Sequence, residues 1–152
     1  MVRVQSEPFD VGAELAALGA GRTDIGGVAS FTGLVRDVAG PDRVGAMTLE
    51  HYPGMTERQL EAIEAEAHRR WPLQASLIVH RVGRMLPGEV IVLVATASAH
   101  RAAALESCAF LIDWLKTRAP FWKLEETPDG ERWVAARDAD DEAAARWETT
   151  PA

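Results

Sequence analysis

Lysine is rare in this chain, which has two lysines, Lys116 and Lys123, against fourteen arginines. The two lysines lie seven residues apart and enclose the sequence TRAPFW. A guanidinium stays protonated at any ordinary pH, whereas burial or a nearby cation can push an ammonium toward its neutral, nucleophilic form. Retention of lysine at these two positions indicates a site that uses this chemistry, although compositional drift toward arginine would leave the same count.

The neighbours of Lys123 support its assignment to a functional site, because Lys123 lies among apolar residues over positions 121–124. Residues two apart in a strand face the same way, so a buried Phe121 would also bury the face that carries Lys123. A buried lysine needs an anionic partner, which could be a ligand or a buried glutamate. Lys116 falls at the C-terminal end of a predicted helix, where the helix dipole by itself favours a cation.

A second group of cations lies where an apolar predicted strand turns into a long predicted helix, at His100 and Arg101. The free N–H groups at a helix start favour anions, and these two side chains add further donors. Arginine in the first turn opposes the helix dipole, which indicates a binding role, but a surface ion pair would explain it equally well. Together with Arg36 at the end of another predicted strand, these residues predict a pocket for a small phosphate- or carboxylate-bearing ligand.

Hydrophobic periodicity and turn signals predict the elements that position these residues. The second helix is expected to begin at Thr56, with Gln59 as its capping-box partner, and Ser98 is expected to cap the third. Helices are predicted over residues 11–18, from 56 to the Trp-Pro pair at 71–72, and over 99–116 and 138–147; strands are predicted over residues 25–36, 43–52, 75–82, 89–97, 121–126 and 131–134.

The order of these elements predicts an α+β fold, in which a mostly antiparallel sheet packs with helices as a two-layer sandwich. Residues 25–36 and 43–52 are expected to pair as a hairpin, and residues 121–134 to form another around the turn TPDG. The run at 90–94 is apolar at every position, which predicts a strand buried on both faces. A chain of 152 residues fits a single domain over positions 1–152.

Composition and charge exclude several classes of function. The net charge is −7, of which residues 125–152 contribute −6, so general binding to nucleic acid is not expected. The single cysteine, Cys108, falls on a predicted buried stripe with Leu105, Ile112 and Leu115 and is expected to be a core residue. No Cys/His set has zinc spacing, no apolar run approaches a membrane span, and no secretory signal is visible, which predicts a cytoplasmic protein without a metal or cofactor.

Four segments closely resemble the MoaE family, the large catalytic subunits of molybdopterin synthase. These segments are FTGLVR at 31–36, LEHYPGM at 49–55, SAHR at 98–101 and LKTRAPFWK at 115–123. The resemblance implies an α/β-hammerhead-like fold and a sulfurtransferase that converts cyclic pyranopterin monophosphate (precursor Z) into the dithiolene of molybdopterin. The sulfur would come from the thiocarboxylated C-terminal glycine of a small, ubiquitin-like, MoaD-like subunit. The assembly would be a homodimer with one small subunit at each outer end, a heterotetramer.

The resemblance also implies roles for individual residues. Lys116 and Lys123 would be catalytic, with Lys116 near the thiocarboxylate carbonyl and Lys123 near the pterin. Phe31 and Ile112 would line the pocket for the partner's tail. The substrate would be bound by Leu34, Val35, Arg36, His100, Arg101, Leu124, Glu125 and, from the other protomer, Arg137 beside the acidic helix at 138–147.

The chain departs from the family pattern at Leu34, where lysine is common, and at Leu124, where arginine often follows the second lysine. Both changes remove positive charge at the rim of the expected pocket. Two other functions remain open at this stage: a module that docks a ubiquitin-like tail without catalysis, and an enzyme in which Lys123 forms a Schiff base with a carbonyl substrate.

Overall fold

The structure is a computed structural model, and it describes residues 1–37, 45–134 and 138–148. Within these residues no helix is long and apolar enough to cross a membrane. The helices are α1 (Val11–Gly19), α2 (Met55–Arg70), α3 (Arg101–Arg118) and α4 (Asp138–Ala145), and the strands are β1 (Val2–Gln5), β2 (Gly27–Leu34), β3 (Ala46–His51), β4 (Leu73–Arg81), β5 (Gly83–Met85), β6 (Val90–Ser98), β7 (Phe121–Thr127) and β8 (Gly130–Val134).

The strands form two four-stranded sheets. Sheet A has the order β1-β4-β6-β2 and sheet B the order β5-β3-β7-β8. Of the described pairings, β1 with β4 is parallel and the others are antiparallel. The predicted α+β class, with mostly antiparallel strands packed against helices, is confirmed. The short strands β1 and β5 were not predicted.

The predicted hairpin between residues 25–36 and 43–52 is wrong, because β2 and β3 lie in different sheets. β2 pairs with β6 over its whole length, and β3 pairs with β7, which places Leu49 opposite Lys123. Periodicity identifies a strand and its buried face but carries no information about which distant strand will satisfy its backbone groups. The turn proposed at 37–42 falls partly outside the described residues. The second predicted hairpin, β7 with β8, is confirmed.

β6 forms the interior of sheet A, between β4 and β2, and residues 92–98 are buried. Val92 and Val94 pack into the core shared with α2 and α3, whereas Leu93 and Ala95 pack against α1 on the opposite side. A strand covered on both faces needs apolar residues at successive positions, as this sequence has. The predicted burial on both faces is confirmed.

The start of α2 differs from the predicted capping box. Gly54 is the N-cap, with φ of 85°, a conformation that glycine adopts without strain, and its N–H donates to the Glu57 carboxylate at 2.7 Å. Thr56 is fully buried, and its hydroxyl donates to the Pro120 carbonyl at 3.2 Å. Thr56 therefore connects α2 to the start of β7 and does not cap the helix with Gln59.

The start of α3 lies two residues later than predicted, with His100 as the N-cap. Ser98 is still part of β6, because it pairs with Gly27 and its carbonyl accepts the Gly26 N–H at 2.9 Å. Because Ser98 pairs in the sheet, α3 begins farther along the chain than predicted. Leu105 was expected on the buried stripe but is 61% exposed. The buried face of α3 consists of Ala104, Ser107, Cys108, Phe110, Leu111, Trp114 and Leu115.

Aromatic side chains attach α4 to the body of the fold. The indole N–H of Trp114 donates to the Ala144 carbonyl at 3.4 Å, and that of Trp147 donates to the Asp113 carboxylate at 2.7 Å. Phe110 lies between these two tryptophans, with ring centroids 4.5 Å from Trp114 and 5.8 Å from Trp147. α4 is therefore anchored on α3 near the end that carries Lys116.

Gly26 is required where the start of β2 passes the junction of β6 and α3. A Cβ atom at Gly26 would lie 1.9 Å from the carbonyl oxygen of Ala99, a contact that only backbone movement can relieve. Gly26→Ala is expected to lower the free energy of unfolding by about 3 kcal/mol, the scale of overpacking in a well-packed region. Chemical denaturation measures this change.

Gly19→Ala is the matched control for Gly26→Ala. Gly19 ends α1, and a Cβ there would meet nothing within 4 Å. The control is expected to leave stability unchanged or to raise it by up to about 1 kcal/mol, because alanine has less conformational freedom to lose on folding. Equal stability of the two variants would contradict the close approach at Gly26.

Candidate active site

A cavity of about 170 Å³ lies between the two sheets and contains both lysines. Sheet A contributes residues from β4 and β6, sheet B contributes residues from β3, β7 and β8, and α3 and α4 close the remaining sides. The lining residues are Met47, Leu49, His80, Ile91, Leu115, Lys116, Ala119, Phe121, Lys123, Val134 and Asp140.

Two residues between α3 and β7 bring the lysines together. α3 ends at Arg118, Ala119 is extended with φ of −83° and ψ of 132°, and β7 begins at Phe121. Proline disfavours helical conformation in the residue before it, so Pro120 stops the helix and starts the strand within one step. Lys116 in the last turn of α3 and Lys123 near the start of β7 consequently reach the same cavity.

The strand register places Lys123 on the cavity side of sheet B. Lys123 is paired with Leu49 on β3 and with Val134 on β8, and all three line the cavity. Phe121 faces the same way and is half-buried, whereas Trp122, on the other face, is 40% exposed. The predicted sharing of one face by Phe121 and Lys123 is confirmed.

His80 is a cavity residue that the sequence did not reveal as part of the site. It lies on β4, is 4% exposed, and stacks on Phe121 with ring centroids 3.9 Å apart and planes 17° from parallel. Its Nδ1 lies 2.8 Å from the Arg81 carbonyl. A carbonyl can only accept, so Nδ1 carries the proton and Nε2 has a free lone pair. A histidine inside the apolar run of a buried strand was the available signal.

Burial keeps this imidazole neutral. The pKa of His80 is lowered to about 4, first by burial and to a smaller extent by the positive charges of Lys116 and His51, while the hydrogen bond to Arg81 acts in the opposite direction. At neutral pH the cavity therefore contains a hydrogen-bond acceptor beside its lysines. A neutral nitrogen of this kind can accept a proton without competing with the lysines for an anionic ligand.

α4 brings a carboxylate, Asp140, into the same cavity. The sequence predicted an acidic helix here and associated it with the site of the other protomer. In this chain α4 is fixed by Trp114 and Trp147, and Asp140 lines the cavity of its own protomer. No signal in the sequence placed this particular carboxylate of the acidic segment near Lys116 and Lys123.

The residues predicted to bind the substrate's anionic groups do not line this cavity. His100 and Arg101 are exposed at the start of α3. Fifteen residues of helix separate Arg101 from Lys116, a distance of about 22 Å along the axis. Arg36 is exposed beyond the end of β2, and Arg137 lies outside the described residues.

The other predicted contacts occupy different environments. Val35 is buried and packs with Met47 and Leu49, which form a wall of the cavity. Glu125 faces the same way as Lys123 and lies 3.8 Å from the Arg132 guanidinium, whereas Leu124 lies on the opposite face of β7. Three more residues were predicted to contact the substrate or the partner's tail. Leu34 is 54% exposed, Phe31 is 40% exposed, and Ile112 is half-buried on α3.

Comparisons with known proteins identify the family. The family model described as MoaE protein matches residues 4–118. A molybdopterin synthase catalytic subunit from Pseudomonas aeruginosa is 56% identical over 147 residues, which cover 97% of this chain and 98% of that protein. The chain belongs to the MoaE family. This confirms the family and the enzyme class that the four sequence segments predicted.

Solved structures of the MoaE family share the fold described above. The molybdopterin biosynthesis MoaE protein from Burkholderia ambifaria is 58% identical, with a TM-score of 0.84 over 98% of each chain. The fold also occurs in a Helicobacter pylori complex of subunits 1 and 2 of molybdopterin-converting factor. There the identity is 21% and the TM-score 0.75, over 90% of this chain and 91% of that one.

The neutral state of His80 predicts a pH dependence of stability. Its pKa is about 4 when folded and about 6.5 when unfolded, so between these values the unfolded state binds a proton that the folded state does not. Titration of His80 therefore leaves the free energy of unfolding unchanged above pH 6.5. As the pH falls from 6.5 to 4, protonation of His80 in the unfolded state lowers the free energy of unfolding by about 3 kcal/mol.

His80→Phe is expected to remove that part of the pH dependence while it keeps a ring stacked on Phe121. Denaturation curves for both proteins between pH 4 and pH 7 measure the difference, since the carboxylates that titrate in this range are common to both. Parallel stability profiles would show that His80 is not held neutral by the fold.

Proposed function

We propose that this chain is the catalytic subunit of a molybdopterin synthase. It transfers sulfur from the thiocarboxylated C-terminal glycine of a small ubiquitin-like subunit to precursor Z and so forms the dithiolene of molybdopterin. The observation that carries this proposal is the meeting of Lys116 and Lys123 in one cavity of a MoaE-family chain. The reaction needs charge stabilisation and proton transfer, and two lysines that share a cavity can provide both.

The lysines can act at the two charged reactants. A thiocarboxylate and a phosphate are both anions, and attack by sulfur on the pterin moves negative charge as bonds form and break. Ammonium groups already fixed in a partly water-excluded cavity stabilise such charge without reorganisation. We assign Lys116 to the thiocarboxylate carbonyl and Lys123 to the pterin. No resident cofactor is needed, because the partner supplies the sulfur.

We further propose that the complete site is shared between two protomers. Arg101 and Lys116 lie about 22 Å apart along α3, farther than a single pterin monophosphate would reach. If His100 and Arg101 bind substrate, they must act on a cavity other than the one formed by their own Lys116. A homodimer provides such a second cavity by symmetry, and Arg137 would come from the second protomer in the same way.

The partner is expected to be a small ubiquitin-like protein, in a heterotetramer of two large and two small subunits. The complex of subunits 1 and 2 from Helicobacter pylori, which has this fold, supports such an assembly. The exposed ring of Phe31 and the half-buried Ile112 would contact the tail of the partner. A biosynthetic enzyme with a soluble protein partner is expected to work in the cytoplasm.

Lys116→Ala and Lys123→Ala are each expected to reduce turnover by at least about 10²-fold, the scale for loss of a charge-stabilising or proton-transferring group. The assay combines each variant with thiocarboxylated small subunit and precursor Z, and dithiolene pterin is followed by fluorescence after oxidation. Arg69→Ala, which removes an exposed cation from α2 outside the cavity, is the control and should keep full turnover. Near-normal turnover in both lysine variants would overturn the catalytic assignment.

A mixed-dimer experiment tests the sharing of the site. Lys116→Ala and Arg101→Ala are each expected to be inactive as homodimers. After the two are unfolded together and refolded, about half of the dimers are mixed, and each mixed dimer has one cavity with both residues intact. Turnover should then recover to about a quarter of the wild-type rate. No recovery, with mixed dimers shown to form, would mean that both residues act within one protomer.

A further inference from the structure

His80 is fixed by two contacts and lines the cavity. The ring stacks on Phe121, Nδ1 donates to the Arg81 carbonyl at 2.8 Å, and the side chain lines the cavity together with Lys116 and Lys123. Among the described residues, the buried side-chain atoms without a hydrogen-bond partner belong to Arg3, Glu57 and Gln74. Nε2 of His80 is not among these atoms, and it has no hydrogen-bond partner among the described residues. Nε2 is therefore not fully buried, and its lone pair is accessible from the cavity that the side chain lines.

The proposed sulfur transfer requires a base and a water molecule, as its atom balance shows. Attack of the thiocarboxylate sulfur on an oxygen-bearing side-chain carbon of the pterin forms a carbon–sulfur bond. The carbon–oxygen bond at that carbon breaks, its oxygen leaves with the phosphate or as water, and an acyl–sulfur–carbon link joins the two reactants. For sulfur to stay on the pterin, the acyl–sulfur bond must break, and the acyl carbon must take an oxygen atom. Water supplies this oxygen without any oxidant or reductant, the glycine becomes a carboxylate, the pterin keeps a thiolate, and two protons are released.

We propose that His80 is the general base that activates this water. Nε2 takes the first proton as the water oxygen bonds to the acyl carbon, and the acyl–sulfur bond then breaks. The second proton leaves to solvent as the new carboxylic acid ionises. The low pKa of the ring means that His80 returns its proton readily and is neutral again for the second sulfur. This inference rests on the proposed function, and it assigns the hydrolytic half of that reaction to one residue.

The other polar groups of the cavity are less suited to this step. Lys116 and Lys123 are required as cations for the anionic reactants, and a protonated ammonium has no lone pair. Asp140 on α4 also lines the cavity, so the experiment below includes a variant of this residue. The charged or titratable groups that act on His80 from the packed elements are Lys116 on α3 and His51 on β3. An anionic substrate bound to Lys116 offsets the repulsion between Lys116 and the His80 ring, which raises the pKa of the ring and makes Nε2 a stronger base.

The deciding experiment follows a single turnover with wild-type protein, His80→Phe and His80→Gln. Each protein is mixed with precursor Z and thiocarboxylated small subunit, and intact-mass spectrometry records the covalent adduct and the released small subunit. His80→Phe keeps the stacked ring but lacks an acceptor, so the adduct should accumulate and its release should slow by at least about 10²-fold. His80→Gln keeps an amide acceptor, and release should be intermediate. His68→Gln, a change on α2 outside the cavity, should behave as wild type.

The outcomes separate this inference from the proposed function. Release at the wild-type rate from His80→Phe, or slow turnover in that variant without any adduct, would overturn the role of His80. Adduct accumulation in Asp140→Asn but not in His80→Phe would move the base to Asp140. In water enriched in oxygen-18, the released glycine carboxylate should carry the label, and its absence would overturn the hydrolytic step. If wild-type protein forms neither adduct nor dithiolene while the partner binds, the proposed function fails instead.

Discussion

The packing of α3 across sheet A determines where the chemistry takes place. Phe110 and Leu111 are fully buried against this sheet, and the Thr96 hydroxyl donates to the Ala104 carbonyl at 2.6 Å inside the core. These contacts fix both the direction and the depth of the helix. The C-terminal end of α3 therefore points toward the gap between the sheets, and the Ala119-Pro120 step transfers the chain into sheet B at that gap. Without this packing, Lys116 and Lys123 would share a stretch of sequence but no cavity.

The electrostatics of the cavity differ from those of the whole protein. The chain carries a net charge of −7, yet its cavity contains two lysines, one carboxylate and one neutral imidazole. Burial and the nearby positive charges, which lower the pKa of His80, prevent a further cation from forming there. The described part of the cavity thus combines cationic side chains with a nitrogen acceptor. The proposed sulfur transfer requires this combination, because one of its steps needs positive charge and the next needs a base.

The two ends of α3 present different groups, and this arrangement connects the fold to the expected assembly. Lys116 lies at the end where the helix dipole favours cations, whereas His100 and Arg101 lie at the end whose N–H groups favour anions. A straight helix of this length keeps the two ends about 22 Å apart. If one small substrate contacts both ends, as proposed, the two ends must come from two copies of the chain. The length of α3 is therefore the physical basis of the proposed dimer.

The sequence by itself determined the features that depend only on residues close together in the chain, such as which side chains of a strand share a face. Alternation over positions 121–124 predicted that Phe121 and Lys123 share a face, and the apolar run at 90–94 predicted a strand buried on both sides. The segment LKTRAPFWK contains both lysines and resembles the family, and its proline marked the boundary between a helix and a strand.

Only the tertiary structure decided which distant residues meet. No local feature of the sequence distinguished the pairing of β2 with β6 from a hairpin between β2 and β3. Nor did any local feature show that Ser98 pairs in the sheet and that α3 begins only at Arg101. His80 lies in the buried strand β4, and only the fold places its ring on Phe121 and in the cavity. Strand pairing and cavity formation are set by the global packing of apolar surface, to which every element contributes. Local sequence therefore indicated the type of the longer elements and much of the face that each buries, whereas long-range packing determined which residues form the cavity.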